Sequence, residues 1–291
     1  LLSAFGYEFL FFVMTLYVFE LSQNAFKVGI FTALTLAPRL FASGYGIVID
    51  RYPRAKVLAA ASGGVGLLLI AMVQMPNLDA IYIFWTLTAI GLTFVSTSRT
   101  ALMTELMASG GYLRGNSLAL AFLNLAKVGA PLLAGIASAI FRIDNLFYLT
   151  SGLYFLVMVI AGTLPPTVVV PTVAVKNVME NLREGLRYMR QNRDVRLLIS
   201  IAVLWRLFIG LQLSVFVVYV KTFLGGGDKD YGVFMMAIGV GSILGSCIGP
   251  YLARRLCYSL LAFWGLLLHY ACFTLLGLLR DFPMALGVAF L

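Results

Sequence analysis

Charge is what this chain has least of. Only 11% of its 291 residues are Asp, Glu, Lys or Arg, against 61% hydrophobic. Soluble globular domains carry about 25% charged residues, and a chain of this size has too much surface to hide so much apolar material from water. The medium around most of it must be lipid. Histidine is nearly absent: the single copy, His269, excludes a zinc site or catalytic centre built on several histidines. Cysteine is scarce as well. Cys247, Cys257 and Cys272 show no metal-ligand spacing and form no even disulfide framework, so they read as small apolar fillers. No G-x-x-x-x-G-K-[ST] stretch is present, which argues against transport driven by ATP at a phosphate-binding loop. No metal or cofactor is expected. The net charge is +9, but the basic residues sit mainly in short loops between apolar stretches, which makes nucleic acid a poor partner.

What the chain has instead is a succession of apolar runs. A membrane-crossing helix needs about 20 mostly apolar residues. Nine candidates occur, at about 1–21, 28–49, 57–76, 80–98, 116–141, 145–164, 197–223, 232–252 and 258–279, and a tenth begins near Pro283. A signal peptide would supply one such run at the N-terminus, whereas these recur to the last residue. The chain starts without Met inside one run and stops inside another, so both ends read as cut.

Lysine and arginine favour the cytoplasmic side of a membrane. Alternate loops hold Arg51, Arg54 and Lys56, then Arg99 and Arg114, then a basic stretch from Lys176 to Arg196, then Arg254 and Arg255. The loops of the other side hold only Lys27, Arg142, Lys221, Lys229 and Arg280. The first set is expected in the cytoplasm, together with the N-terminus.

One connection stands apart. After span six, Leu164-Pro165-Pro166 ends the helix, because proline lacks an N–H and restricts the residue before it. Met179, Leu182, Leu186 and Met189 then recur at helical spacing, with Glu180, Arg183, Glu184, Arg187 and Arg190 on the other faces. This is an amphipathic helix on the cytoplasmic membrane surface or a solvated linker helix. Either way it divides the chain into residues 1–164, six spans; 165–194, a linker; and 195–291, spans seven to nine with the start of ten. A weak repeat supports the division. At one constant offset Gly29-Ile30-Phe31 matches Gly232-Val233-Phe234, Gly46 matches Gly249, and Arg51 matches Arg254. Repeated halves with a site between them characterise secondary transporters.

The loop after span two reads Gly46-Ile-Val-Ile-Asp50-Arg51-Tyr-Pro-Arg54-Ala-Lys56. Gly46 lets a neighbouring helix approach closely. Asp50 falls at a helix C-terminus, where the dipole disfavours an anion, so it needs a compensating partner. Arg51, Arg54 and Lys56 can pair with acidic groups or lipid headgroups, and such a cluster can latch one conformation and release it in another. The loop resembles the G-x-x-x-D-R-x-x-R-x-K/R signature of the major facilitator superfamily, at the place where that family carries it. The second copy has Ala253 where the first has Asp50.

A further stretch, from Ser98-Arg99 through Glu105, Arg114 and Asn116 to Lys127-Val-Gly129-Ala-Pro131-Leu-Leu-Ala-Gly135, is similar to the drug and siderophore exporters of that superfamily. Their fifth helix carries G-P-x-x-G-G, here with alanine at two glycine positions. Pro131 cannot donate to the carbonyl of Lys127, so a kink is expected among Gly129, Pro131 and Gly135, as a packing seam, a gate, or both.

The resemblance covers nearly the whole chain and implies an all-α membrane protein with the major facilitator fold. In that fold two pseudosymmetric six-helix bundles rock around a central cavity. This chain would hold the first bundle, short of the start of its first helix, and about half of the second, a stretch not expected to fold and work as a transporter alone. It also implies a monomeric, multi-pass protein of the cell (inner) membrane that exports small amphipathic compounds in exchange for protons. A receptor or scaffold on the same fold, or an importer or lipid transporter, are the alternatives. An embedded enzyme would need convergent catalytic groups, which one histidine and one mid-span glutamate do not supply.

Four charges fall near mid-span: Glu8, Arg39, Lys127 and Arg206. Each costs about 2.5–3.5 kcal/mol at a helix centre on insertion scales, so such residues face a cavity or one another. Burial favours the neutral acid form of Glu8 and a nearby cation favours its carboxylate. If helix motion changes that balance, Glu8 takes up and releases protons; otherwise it belongs to a static ion pair that fixes packing. The excess of cations over Glu8 would favour an anionic or zwitterionic substrate if they line the cavity.

Overall fold

The structure is a computed structural model, and it describes residues 2–41, 45–46, 49, 51–75, 77–107, 112–164, 183, 187–255 and 258–291. Among the described residues there is no strand. In lipid every backbone N–H and C=O must be satisfied within the segment, and long apolar runs answer that as helices. These are α1 (Leu2–Ser22), α2 (Ala25–Leu36), α3 (Arg54–Val73), α4 (Leu78–Met107), α5 (Tyr112–Ile140), α6 (Ile143–Thr163), α7 (Arg193–Val218), α8 (Asp228–Ala253), α9 (Tyr258–Leu278) and α10 (Phe282–Phe290). Six described helices are long and apolar enough to cross a membrane, and shorter apolar stretches lie at Phe208–Phe223 and Phe263–Leu278. Large aliphatic side chains point outward on them. Leu118, Leu125 and Leu133 are exposed along one face of α5, and Leu204 and Leu211 along α7, as expected where the surroundings are hydrocarbon.

Three local features differ from the sequence expectation. Span four reaches Met107 rather than stopping near residue 98, so Arg99 is helical and not in a loop. The run from Ser98 to Met107 holds good helix formers and no glycine or proline. At 1.5 Å per residue the 30-residue helix is about 45 Å long, well beyond the roughly 30 Å hydrocarbon layer, an excess taken up by tilt or by turns outside the apolar core. Span two tightens after Leu36 into a 3-10 turn, Ala37–Phe41, which holds Arg39; Pro38 removes a backbone donor there. Span seven ends in a π-helical turn, Tyr219–Phe223. Proline 131 lies inside a helix that continues unbroken to Ile140. The expected linker helix falls mostly outside the described residues, which include residue 183 and a short helical stretch at 187–191.

The chain forms two compact units. One comprises Leu21–Gly110 and Ser151–Phe216. In it α3 and α6 meet at glycines: a Cβ on Gly63 would lie 2.6 Å from Met158 Sδ, and one on Gly66 3.1 Å from the Phe155 ring. The Ser151 hydroxyl donates to the Gly66 carbonyl at 2.8 Å. A polar clasp joins α2 to α4 and α7. Trp85 is fully buried, packs on Phe31 with ring centroids 5.0 Å apart, and donates from Nε1 to Thr35 Oγ1 at 2.8 Å. One turn away Thr32 and Ser214 share a hydroxyl–hydroxyl bond of 3.1 Å.

A buried indole N–H without an acceptor is costly, which makes the clasp testable. Thr35→Val removes the acceptor at nearly constant shape and is expected to destabilise the protein by about 1–3 kcal/mol. Thr35→Ser keeps the acceptor and loses one methyl, at roughly 0.8 kcal/mol. Denaturant unfolding in detergent micelles, followed by tryptophan fluorescence, measures the order.

The other unit comprises Leu1–Glu20, Gly111–Thr150 and Val217–Leu291. Aromatic rings pack in its interior. Phe12 of α1 stacks on Tyr231 of α8 at 4.8 Å, and Tyr17 meets Phe147 of α6 edge-on at 5.3 Å. Helices α5 and α8 cross at glycines: a Cβ on Gly135 would fall 2.8 Å from both the Asp228 carbonyl oxygen and the Gly232 Cα.

Candidate functional site

The signature loop leads into α3. Its proline, Pro53, caps that helix and accepts the N–H groups of Lys56 and Val57. Arg54 is therefore the first helical residue, a cation at the end whose dipole disfavours it. Glu105 lies in the last turn of α4, where the dipole disfavours an anion. The two compensate one another. Arg54 Nη1 lies 3.3 Å from Glu105 Oε2 and also donates to the Ala101 carbonyl at 3.3 Å. Both side chains are about one-third exposed. The pair therefore ties the start of α3 to the overhanging end of α4. Arg51 and Lys56 are exposed. Gly46 is half-buried, and a Cβ there would meet nothing within 4 Å. Asp50 lies outside the described residues.

An exposed or half-exposed ion pair contributes about 0–1 kcal/mol after screening. Either Arg54→Ala or Glu105→Ala should therefore change a two-state equilibrium that depends on the pair by no more than about fivefold. The double variant should be no worse than the single ones. A double-mutant cycle on unfolding or on transport rate measures that coupling.

The small residues of α5 serve close packing. Ala130, Pro131, Ala134 and Gly135 are buried, and a Cβ on Gly232 of α8 would sit 2.9 Å from the Pro131 carbonyl oxygen. Proline leaves the preceding turn with an unclaimed carbonyl. The seam continues toward Gly239, where a Cβ would lie 3.3 Å from the Lys127 carbonyl oxygen. Gly129 is off the seam, with nothing within 4 Å of a Cβ.

A model of the Major Facilitator Superfamily matches residues 1–291. The chain belongs to the major facilitator superfamily. An uncharacterized MFS-type transporter, YfiS, of Bacillus subtilis (strain 168) is 23% identical over 243 residues, which are 81% of this chain and 58% of the relative. The chain thus spans little more than half the length of that curated relative.

In this superfamily member the four mid-span charges differ in setting. Glu8 is half-buried on α1, beside buried Phe9. Lys127 is exposed on α5, and Arg39 is exposed on the 3-10 turn. Arg206 belongs to α7, and its side chain lies outside the described residues. Glu8 and Arg39 both engage in interactions. Trp85 and Gln212 are buried, and Trp85 is held by the clasp.

A charge cluster at the other end of α1 was not foreseen. Lys221 Nζ lies 3.1 Å from Glu20 Oε1 and 2.5 Å from Asp228 Oδ1. In sequence it counted only as one of the few basic residues of its side. A visible signal was the glycine run Gly225-Gly226-Gly227 between Lys221 and Asp228, which lets the chain turn back sharply.

Proposed function

We propose that the full-length protein is a secondary active transporter that exports small amphipathic compounds, drugs or siderophores, in exchange for protons by alternating access. Two six-helix bundles, residues 1–164 and the part beginning at 195, rock about a cavity, with 165–194 linking them. The N-terminus and the signature loop face the cytoplasm, and the membrane is the cell (inner) membrane. The protein acts as a monomer, and its partners are the small-molecule substrate, protons and lipids.

The observation that carries this reading is the Arg54–Glu105 pair. Two charges, each at the helix end that disfavours it, are kept at the cost of poor helix electrostatics. Such an arrangement suits a contact that must be broken and remade during a cycle. Arg51 and Lys56 add positive charge for lipid headgroups, and the Gly135–Gly232 seam gives α5 and α8 a smooth surface on which to move. Glu8 is the proton-responsive group, with Arg39, Lys127 and Arg206 setting a positive field.

The test is growth of a transporter-deficient strain expressing the full-length gene across a panel of toxic compounds. Resistance that a proton uncoupler removes is the expected result. Resistance that survives the uncoupler rejects proton coupling, and accumulation in place of resistance rejects export.

A further inference from the structure

The geometry points to Lys221 as a gating residue on the outer side of the membrane: it is held permanently by Asp228 and is bound to Glu20 only while that side is closed. This rests on the alternating-access reading above.

The three groups sit where two remote parts of the chain meet. Glu20 is in the last turn of α1 and Asp228 is the first residue of α8. Lys221 lies between them in the π-helical turn, and its Nζ is 5.9 Å from the centre of the Phe19 ring. The turn that carries it is tightly closed. Gly225 adopts φ +66°, a conformation that favours glycine. The Gly226 N–H closes onto the Val220 carbonyl at 2.9 Å. A Cβ on Gly226 would lie 3.0 Å from Asp230 Cβ and 3.1 Å from Val220 Cγ1. Asp230 is occupied with the Gly227 N–H at 2.8 Å. That leaves Asp228, folded back by the glycines, to face Lys221.

The two carboxylates are not equivalent. Asp228 is 17% exposed, matches the 16% of Lys221, and belongs to the same tight turn. Separating them would require unfolding that turn. Glu20 is 41% exposed and comes from a helix 201 residues away in sequence. Its bond is longer, more hydrated and more easily screened. When the outer side opens, the Glu20 arm parts and the Asp228 arm remains. Next to the cluster the packing is apolar: Leu16, Val217 and Val220 are fully buried.

The triad carries one positive and two negative charges, and that imbalance predicts an order of effects. Removing Glu20 leaves a neutral pair that has lost its ion pair with α1 and keeps its approach to the Phe19 ring. Removing Lys221 leaves two carboxylates facing one another, which pushes the elements apart. Lys221→Met should therefore open the outer side more than Glu20→Gln. The double variant Glu20→Gln/Lys221→Met, with the repulsion relieved, should fall back to the level of Glu20→Gln.

The experiment uses the full-length protein in intact cells, with every native cysteine, Cys247, Cys257 and Cys272 included, replaced by serine and Leu16→Cys as a reporter. A membrane-impermeant maleimide added outside reports opening. Glu20→Gln, a conservative change at an exposed position, should raise the labelling rate about fivefold, the scale of one partly exposed ion pair. Lys221→Met should raise it further, and high salt should raise the parent. Equal labelling in the parent and both single variants overturns the proposal, as does a double variant that labels as fast as Lys221→Met. Resistance to the compound panel is measured in the same strains. If labelling follows the predicted order while no compound is exported, the outer lock stands and the transport reading falls. If export is present and labelling is indifferent to all three changes, the lock falls and the transport reading stands.

Discussion

Gly135→Leu is expected to abolish the folded protein or its transport altogether, whereas Gly129→Ala, six residues earlier on the same helix, should be nearly silent. The difference lies in what each added carbon meets. At Gly135 a Cβ would come within 2.8 Å of the Asp228 carbonyl oxygen and the Gly232 Cα, and within 3.1 Å of the Gly232 nitrogen. All three are backbone atoms, which cannot rotate away as a side chain can. Helices α5 and α8 would have to separate, losing the close backbone approach that small residues permit in membranes. Overpacking of a well-fitted site costs about 1–3 kcal/mol for a few extra carbons, and a leucine in backbone contact belongs at or above that upper end. At Gly129 a Cβ meets nothing within 4 Å, and alanine should gain a few tenths of a kcal/mol or more in helix propensity. Alanine at 135 is the graded case: it should fold with reduced stability. Size-exclusion profiles in detergent, melting temperature and transport rate of the four proteins give the series. A folded Gly135→Leu with parental transport would show that α5 and α8 need no close approach.

The same contrast shows how much of the site was legible in the sequence. Helices α1 to α10 follow from hydrophobic runs, because lipid leaves the backbone few other options, and α1, α5, α6, α8 and α9 lie close to the expected spans. Helix α4 runs longer than its apolar core because helix formation does not stop where hydrophobicity stops. The spacing of Gly129, Pro131 and Gly135 marked α5 as special. It could not say which glycine touches the neighbouring helix, since that depends on rotation about the helix axis and on where α8 crosses. The Arg54–Glu105 pair was half visible. Both residues stood out, one in the signature loop and one in the exporter-like stretch, but their meeting depends on how far α4 overhangs. Lys221 was not visible as a site at all. Its partners are 201 residues before it and seven after it, and only a folded glycine turn brings the second into reach.

Glu8→Gln is expected to uncouple transport from the pH gradient completely while leaving the protein folded and able to move substrate down the substrate's own gradient. Glu8 is half-buried among aromatic residues of α1, with Tyr7 and Phe11 stacked beside it at 6.3 Å between ring centroids. Glutamine keeps its shape and one acceptor oxygen but can neither carry a charge nor exchange a proton. If Glu8 is instead half of a static ion pair, the same change leaves a cation without its counter-charge. For a half-buried pair the cost falls between the roughly 0–1 kcal/mol of an exposed pair and the roughly 3–5 kcal/mol of a buried one, so loss of stability, with coupling intact in whatever protein folds, is the opposite signature. The two outcomes separate cleanly in liposomes containing full-length protein. With a proton-carrying role, an imposed pH gradient accelerates transport by the parent and has no effect on Glu8→Gln, while counterflow of substrate continues in both. Undiminished acceleration in Glu8→Gln would move the proton site elsewhere. Glu8→Asp supplies the control: a carboxylate one methylene shorter can still exchange a proton, so it should retain coupling at a reduced rate.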